Sequence, residues 1–267
     1  QYIMKTYIKE RPIAFSADMV RALLQGWKTQ TSRTRGLERF NGWPDWKIPL
    51  GEDAWKLCHF TEEESGIWRA VFQDPRGKCP PGLDPVVKCP YGKPGERLWV
   101  REHWKVGLFL PWGGFEVEYL ADGARKVCEP GGGYSAAWLD CLKEQCLEDC
   151  RKAGVKPWLD RSVLRRRQAM FLPRCASRIL LEITDIEVRK LQSITEEEAM
   201  AEGIESIFYD EETSSTGWKN YLAPESMCIR ARDSFFTLWD RLHGGGEADP
   251  WVWMIKFKVL EVKGIIK

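Results

Sequence analysis

A short polar stretch near the N-terminus carries three kinds of side chain that can bind or react with a ligand. The run Gly26-Trp27-Lys28-Thr29-Gln30-Thr31-Ser32-Arg33 holds an amine, three hydroxyls and a guanidinium. Such groups can converge on one small polar ligand. The alternative is a solvated helix end, because Lys and Arg in a last turn offset the helix dipole and hydroxyl residues favour turns.

A second candidate pair is Arg101 and Glu102, which lie on a predicted strand. Glu102 falls on the otherwise apolar phase of that strand, so its burial requires a partner. Arg or Lys from the polar stretch at 26–33 is one candidate partner, which would make the pair part of a cleft lining. The alternative is an ordinary structural ion pair.

The chain as a whole has the composition of a globular protein. It has 267 residues, 40 Lys and Arg against 39 Asp and Glu, and 43% hydrophobic residues. These values exclude bulk disorder, and no apolar run approaches the roughly 20 residues that a membrane helix needs. We expect a cytoplasmic protein with Met4 as its natural start. The near-zero net charge argues against coating nucleic acid by charge alone.

Three helices and four strands are expected to position these residues. Ser16 can cap a helix that ends near Gly26. Thr195-Glu196-Glu197-Glu198 is a capping box that opens a short helix to about Glu202. An amphipathic helix begins at about Ile229 and stops at Gly244. The strands are predicted at 98–106, 115–120, 178–183 with a phase shift near residue 185, and 251–259. Residues 41–95 are predicted to be ordered loops with short strands, and residues 210–225 are predicted to form a loop. Because strands and helices do not alternate regularly, the fold class is α+β, with a curved, mostly antiparallel sheet or small barrel.

The segment 124–167 is expected to be an insertion within a single domain spanning 4–263. Its helix repeats Trp138, Leu142, Cys146 and Cys150 every four residues, which predicts a buried apolar face. A zinc site that adds Cys128 and Cys141 to these two cysteines is a weaker alternative, since the spacing matches no standard ligand set. With nine cysteines and no Cys-x-x-Cys pair, we expect a reducing compartment, no metal and no cofactor.

The polar stretch also resembles a known family. Gly26-Trp27-Lys28-Thr29-Gln30-Thr31 is similar to the Gly-x-Lys-Thr-x-Thr signature of ASCH domains, which belong to the PUA-like β-barrel superfamily. Further blocks follow in the order found in phage-encoded ASCH proteins. They are Lys9-Glu10-Arg11-Pro12-Ile13, Cys89-Pro90-Tyr91-Gly92, Gly95-Glu96-Arg97-Leu98-Trp99-Val100-Arg101-Glu102, Pro173-Arg174, Ala176-Ser177-Arg178-Ile179, Leu191-Gln192, Ile194-Thr195-Glu196-Glu197-Glu198-Ala199, Ser234-Phe235, Leu238-Trp239-Asp240 and Pro250-Trp251-Val252-Trp253.

This resemblance implies a small PUA-like barrel with a cleft for a nucleobase or a short RNA segment. Bacterial enzymes of the family hydrolyse the amide of N4-acetylcytidine with a lysine, a threonine and a glutamate. Carried over, these roles fall on Lys28 as base, Thr31 as nucleophile and Glu202 as the acid that protonates the leaving amine. Arg33 or backbone N–H groups at the turn would stabilise the developing oxyanion. Trp27, Arg33, Arg101 and Glu102 are the expected substrate-binding residues.

Two other functions remain open. One is an RNA or modified-nucleotide binding module without catalysis, which would use tryptophans to stack bases together with basic residues. The basic residues concerned are Arg161, Arg165, Arg166, Arg167, Arg174 and Arg178, and the tryptophans left over from the expected core are Trp27, Trp43 and Trp46. The other is a phage accessory protein that binds a host partner through segment 124–167.

Overall fold

The computed structural model describes residues 8–41, 56–73, 85–157, 160–210, 215–244 and 249–263. Its helices are α1 (Ala17–Leu24), α2 (Glu38–Asn41), α3 (Ala136–Lys152), α4 (Glu196–Ala201) and α5 (Ala231–His243). Its strands are β1 (Glu10–Ala14), β2 (Gln30–Arg33), β3 (Lys56–Glu64), β4 (Ile67–Gln73), β5 (Val86–Lys88), β6 (Arg97–Arg101), β7 (Trp104–Phe109), β8 (Phe115–Tyr119), β9 (Arg125–Cys128), β10 (Ile179–Lys190), β11 (Ser206–Asp210), β12 (Ser215–Lys219), β13 (Met227–Cys228) and β14 (Trp251–Val262). Trp43 and Trp46 lie outside the described residues.

The strands form one larger sheet and three small ones. The larger sheet has the order β1-β6-β10-β14-β2, and the small sheets have the orders β3-β4-β5, β7-β8-β9 and β11-β12-β13. This arrangement confirms the α+β prediction. In the described part of the chain the five-stranded sheet is open, with β1 and β2 at its edges, so the predicted closed barrel is not seen.

The chain groups into two compact units. The first contains the described parts of Gly26–Arg97 and Glu182–Lys258, and the second contains Glu10–Gln25 and the described parts of Leu98–Leu181 and Val259–Lys267.

In the first unit, β2 pairs antiparallel with β14, so that Ser32 lies opposite Met254 and Thr31 opposite Ile255. The expected capping box is present at the start of α4, where Thr195 and Glu198 exchange side-chain and backbone hydrogen bonds. The box starts the helix, and Glu202 is the C-cap residue that follows its last residue, Ala201. Helix α4 packs against α5 and against β2.

The end of α5 is as expected, whereas its start and the preceding loop differ from the prediction. Gly244 closes α5 in a left-handed conformation, with φ of 90°. Ile229 precedes the helix and is 87% exposed, so it does not belong to the apolar face. The predicted loop at 210–225 contains β12, which pairs with β11 and β13. The sequence of β12 shows no alternation of apolar residues, which was the signal used for strands, so this strand was missed.

In the second unit, α3 packs on the β7-β8-β9 sheet. Leu142, Cys146 and Cys150 are buried in one core with Trp104 and Phe115. The predicted apolar face of this helix is therefore confirmed. The segment 124–167 supplies β9 and α3, which complete this core instead of standing apart from it.

The prediction of one continuous strand over residues 98–106 is wrong. Leu98, Val100, Glu102, Trp104 and Val106 are buried in alternation as expected. The strand nevertheless breaks after Arg101, because β6 belongs to the five-stranded sheet and β7 pairs with β8. By contrast, the phase shift predicted near residue 185 is confirmed, since the buried positions of β10 change register between 183 and 186.

Candidate functional site

The segment that leads into β2 is fixed by backbone hydrogen bonds within the first unit. Gly26 takes a φ of 79°, which lets the chain turn away after the helix. The Thr29 amide donates to the Ala201 carbonyl at 2.9 Å, and the Thr29 carbonyl accepts from the Phe257 amide at 2.9 Å. Lys28 is thereby held beside the C-terminal end of α4.

Lys28 forms a buried ion pair with Glu202. The Lys28 Nζ atom lies 2.9 Å from Glu202 Oε2 and donates a second hydrogen bond to the Glu202 backbone carbonyl at 2.5 Å. The two residues are 0% and 2% exposed. A cation at the end of a helix also offsets the negative pole of its dipole, so Lys28 compensates both charges at this position.

Ser32 completes the hydrogen bonding of the Glu202 carboxylate. Its Oγ atom donates to Glu202 Oε1 at 2.6 Å and lies 3.0 Å from the sulfur of Met254. Each carboxylate oxygen thus has its own donor, an ammonium on one and a hydroxyl on the other. We call Lys28, Ser32 and Glu202 the buried polar cluster.

Thr31 does not join the buried polar cluster as the adjacent Ser32 does. It is 1% exposed, and among the described residues its hydroxyl makes no hydrogen bond to Lys28 or Glu202. Adjacent residues of a strand point to opposite faces, so only one of the two hydroxyls at 31 and 32 can reach the carboxylate. The role expected for Thr31 stays a prediction. Ser32 was missed because no strand was predicted at Gln30–Arg33, and without β2 the directions of the two hydroxyls were not known.

Arg33 acts on the buried polar cluster through its charge. Burial lowers the pKa of Lys28, and the Arg33 guanidinium lowers it further, while Glu202 opposes both. Burial likewise lowers the pKa of Arg33, against the opposing charges of Tyr91 and Glu202. Sequence reasoning did not single out Tyr91, which belongs to a block used only for the family resemblance. Burial raises the pKa of this phenol.

Two further side chains of the signature differ in exposure. Trp27 is 50% exposed and presents an aromatic surface next to Lys28. Gln30 is 2% exposed, and its Nε2 atom has no hydrogen-bond partner among the described residues. Buried amide donors are nearly always satisfied in folded proteins, so this unpartnered donor is an exception. It shares one face of β2 with Ser32.

Arg101 and Glu102 belong to the second unit, and Glu102 has a partner other than the expected one. Both Glu102 oxygens accept hydrogen bonds from Arg178 at 2.8 Å, and Arg178 also donates to Asp122. Arg178 and Glu102 are each 1% exposed. Although burial opposes the charge of Arg178, these hydrogen bonds raise its pKa. The proposed pairing of Glu102 with the polar stretch is wrong, and the alternative of a structural ion pair is confirmed.

Arg101 lies apart from that ion pair. Its guanidinium carbon is 4.5 Å from the centre of the Trp99 ring, and its Nε atom has no hydrogen-bond partner among the described residues. Burial lowers the pKa of Arg101. A guanidinium stacked on an indole is held in place by cation–π attraction and retains donors for an anion.

Several basic residues considered for RNA binding are engaged within the second unit. Arg178 is buried as described, Arg165 pairs with Asp149 at 2.6 Å and Arg174 pairs with Glu10 at 2.7 Å. A buried guanidinium cannot contact phosphate, so Arg178 is excluded from that role.

The described residues contain no cluster of three or more His, Cys, Asp or Glu side chains able to hold a metal ion. The zinc alternative therefore finds no support in the described residues. None of the helices in these ranges is long and apolar enough to cross a membrane.

Comparison with known proteins adds no assignment. No protein-family model matches the chain, and no curated protein or solved structure matches it significantly.

Proposed function

We propose that this protein is a PUA-like ASCH protein that recognises a nucleobase and hydrolyses the amide bond of an N4-acylated cytidine. The observation that supports this proposal most directly is the buried polar cluster. Lys28 and Glu202 are 174 residues apart in sequence, yet their side chains meet at 2.9 Å. These are two of the three residues to which the family resemblance assigns the chemistry.

The geometry favours Ser32 as the nucleophile. Its hydroxyl donates to a carboxylate at 2.6 Å, which is the contact that a nucleophile and its base require. As Ser32 Oγ adds to the acyl carbon, its proton passes to Glu202. The same carboxylic acid then protonates the amine of cytosine as the C–N bond breaks. Water, deprotonated by Glu202, releases the acyl group from Ser32 as a carboxylic acid and restores the hydroxyl.

Lys28 and Arg33 have supporting roles in this scheme. The Lys28 ammonium on Oε2 holds the carboxylate in a single orientation, leaving Oε1 for Ser32. The nearby Arg33 charge favours the negative oxygen that develops on the acyl group. The unpaired Gln30 amide supplies a donor for the carbonyl or ring nitrogen of the base, and Trp27 supplies a stacking surface.

A non-catalytic binding module is the second candidate, and the burial of the cluster favours it. With Lys28 at 0%, Thr31 at 1% and Glu202 at 2% exposure, these three side chains do not present a surface to solvent. A substrate reaches them only when neighbouring side chains move aside. A protein that keeps the ion pair for stability and binds the base on the half-exposed Trp27 ring requires no such opening.

An assay of cytidine release from N4-acetylcytidine separates the two candidates. We expect Ser32→Ala and Glu202→Gln to lower the rate by at least about 100-fold, the lower end of the range for general acid–base groups. The matched control is Thr29→Val, which removes an exposed hydroxyl from the same signature. We expect this variant to retain the wild-type rate.

Three outcomes are informative. Loss of activity in Thr31→Val but not in Ser32→Ala would assign the nucleophile to Thr31 and contradict the role given to Ser32. Saturable binding of N4-acetylcytidine without release of cytidine would support the binding module. Neither binding nor release would refute the proposed function altogether.

A further inference from the structure

The second unit contains a cavity that the proposed function does not use. It has a volume of about 370 Å³, and the residues that line it include Trp104, Trp138, Gln145, Arg166, Arg167 and Phe171. Cavities of about 300–1,000 Å³ are typical of small-molecule sites. This one lies between the β7–β8 hairpin, α3 and the segment 165–171.

Trp104 contributes a buried hydrogen-bond donor without an acceptor. The residue is 1% exposed, and its Nε1 atom has no hydrogen-bond partner among the described residues. Its backbone is fixed by a mutual pair of hydrogen bonds with Arg167, at 3.2 and 2.7 Å. A buried indole N–H usually finds an acceptor, so a ligand acceptor in the cavity would satisfy it.

The charges that line the cavity are positive. Arg165 is neutralised by Asp149, but Arg167 donates to the neutral Gln145 side chain at 2.6 Å and to the thiol of Cys146. Arg166 is exposed and has no ion pair among the described residues. No carboxylate is among the lining residues. An anion with two or more oxygens suits such guanidinium groups.

The remaining lining offers flat apolar surface. Phe171 is 61% exposed, and Trp138 is only partly buried. Both rings therefore offer apolar area to a molecule in the cavity. Aromatic rings of this kind bind planar ligands by stacking, including nucleobases.

We propose that this cavity binds a nucleotide, with its phosphate at Arg166, its base against Phe171 and Trp138, and an acceptor of the base at the indole N–H of Trp104. The nucleotide is either a free nucleoside monophosphate or the 5′-terminal nucleotide of an RNA. The site lies wholly within the second unit and does not depend on the buried polar cluster.

Calorimetric titration of the full chain tests this site with defined probes. Adenosine 5′-monophosphate and cytidine 5′-monophosphate are titrated beside adenosine, cytidine and inorganic phosphate. We expect saturable 1:1 binding of at least one monophosphate, with its nucleoside and phosphate alone each at least tenfold weaker. Absence of saturable binding of every monophosphate at millimolar concentration would overturn the proposal.

Variants locate the binding. We expect Arg166→Gln and Phe171→Ala to weaken the affinity at least tenfold, and both side chains are exposed, so their loss leaves the core intact. Arg151→Gln on the exposed side of α3, where the arginine side chain is 69% exposed, removes the same charge and is expected to have no effect. Equal weakening by Arg151→Gln and Arg166→Gln would show non-specific charge attraction and overturn the assignment.

Two further titrations settle the relation to the other site and the source of the nucleotide. Trp27→Ala changes a first-unit residue that is 50% exposed and is expected to leave monophosphate binding unchanged, whereas loss of binding in that variant would place the ligand in the first unit and overturn the proposal. A 5′-phosphorylated RNA tetranucleotide is then titrated with and without saturating monophosphate. Saturating monophosphate is expected to prevent binding of the RNA, because both would occupy this cavity, and the ligand that binds more tightly identifies the source. RNA binding that saturating monophosphate leaves unchanged would overturn the proposal.

Discussion

Replacing Glu202 with glutamine removes the charge of the buried polar cluster and keeps its shape. The introduced amide oxygen still accepts a hydrogen bond from the Ser32 hydroxyl. The Lys28 ammonium, however, loses its counter-ion while 0% of the residue is exposed. The variant therefore measures how much the folded protein depends on the carboxylate charge.

The loss in free energy of unfolding depends on whether Lys28 keeps or gives up its proton in the variant. If Lys28 keeps its proton, breaking a buried ion pair by removing one partner costs about 3–5 kcal/mol. If Lys28 gives up its proton, the cost at pH 7 follows from the ordinary lysine value of 10.5. At about 1.4 kcal/mol per pKa unit, this is about 5 kcal/mol. We therefore expect Glu202→Gln to lower the free energy of unfolding by about 3–5 kcal/mol at pH 7.

The loss is expected to shrink as the pH rises. In the wild type, burial already lowers the pKa of Lys28 in the folded state, and Glu202 opposes this effect. Between the two pKa values of Lys28, the unfolded state binds more protons than the folded state, so stability rises with pH. The contribution of neutral Lys28 to stability is fully present above its unfolded-state pKa and is lost as the pH falls through its folded-state pKa. Without the Glu202 charge the folded pKa falls further, so the pH-dependent window begins at lower pH. At pH 9 the deprotonation route costs only about 2 kcal/mol.

Urea unfolding followed by circular dichroism at pH 6, 7, 8 and 9 measures these values. The matched control is Glu225→Gln, which removes an exposed carboxylate and is expected to change the free energy of unfolding by less than about 0.5 kcal/mol. A loss below about 1 kcal/mol in Glu202→Gln at pH 7 would refute the reasoning, because it would mean that water reaches the cluster in the folded protein. A loss that is the same at every pH would contradict the expected decrease and would show that Lys28 keeps its proton in the variant.

Three further changes test other parts of the fold by the same unfolding measurement. Glu102→Gln replaces one of the two carboxylates that pair with the buried Arg178 guanidinium, while Asp122 keeps its hydrogen bonds. We expect a loss of about 1.5–3 kcal/mol, the range for a hydrogen bond to a charged group, and a loss under about 1 kcal/mol would contradict this expectation. Gly66→Ala is expected to cost more than Gly95→Ala. Both glycines have positive φ, at a strain of about 1–2 kcal/mol, but only at Gly66 would the new Cβ meet a backbone oxygen at 3.0 Å. Thr195→Ala removes the helix cap of α4 and is expected to cost about 1 kcal/mol, whereas no change would show that the cap is dispensable.

The sequence predicted those elements in which local signals and burial agree. Ser16 caps α1 and the box at Thr195 starts α4, because both caps are set by residues within one turn. The buried stripe of α3 and the phase shift of β10 follow from apolar periodicity alone. These features need no knowledge of distant contacts.

What the sequence did not predict depends on long-range pairing. The break between β6 and β7 is a change of partner strand, which alternation along one strand does not record. The pairing of Glu102 with Arg178 spans 76 positions, and many charged residues were available as partners. In the site, Lys28 and Glu202 were found through the family resemblance, whereas Ser32 needed the direction of each side chain on β2.

The antiparallel pairing of β2 with β14 also has a consequence for synthesis of the chain. Ser32 and Met254 face each other across 222 positions, so β2 leaves the ribosome long before its neighbour in the sheet exists. Domains form from the N-terminal side during translation, and contacts this distant are the slowest to close. Until β14 arrives, Lys28 remains hydrated and β2 presents open hydrogen-bonding groups. A nascent chain that stalls before Trp251 therefore exposes a strand edge to which other chains can add.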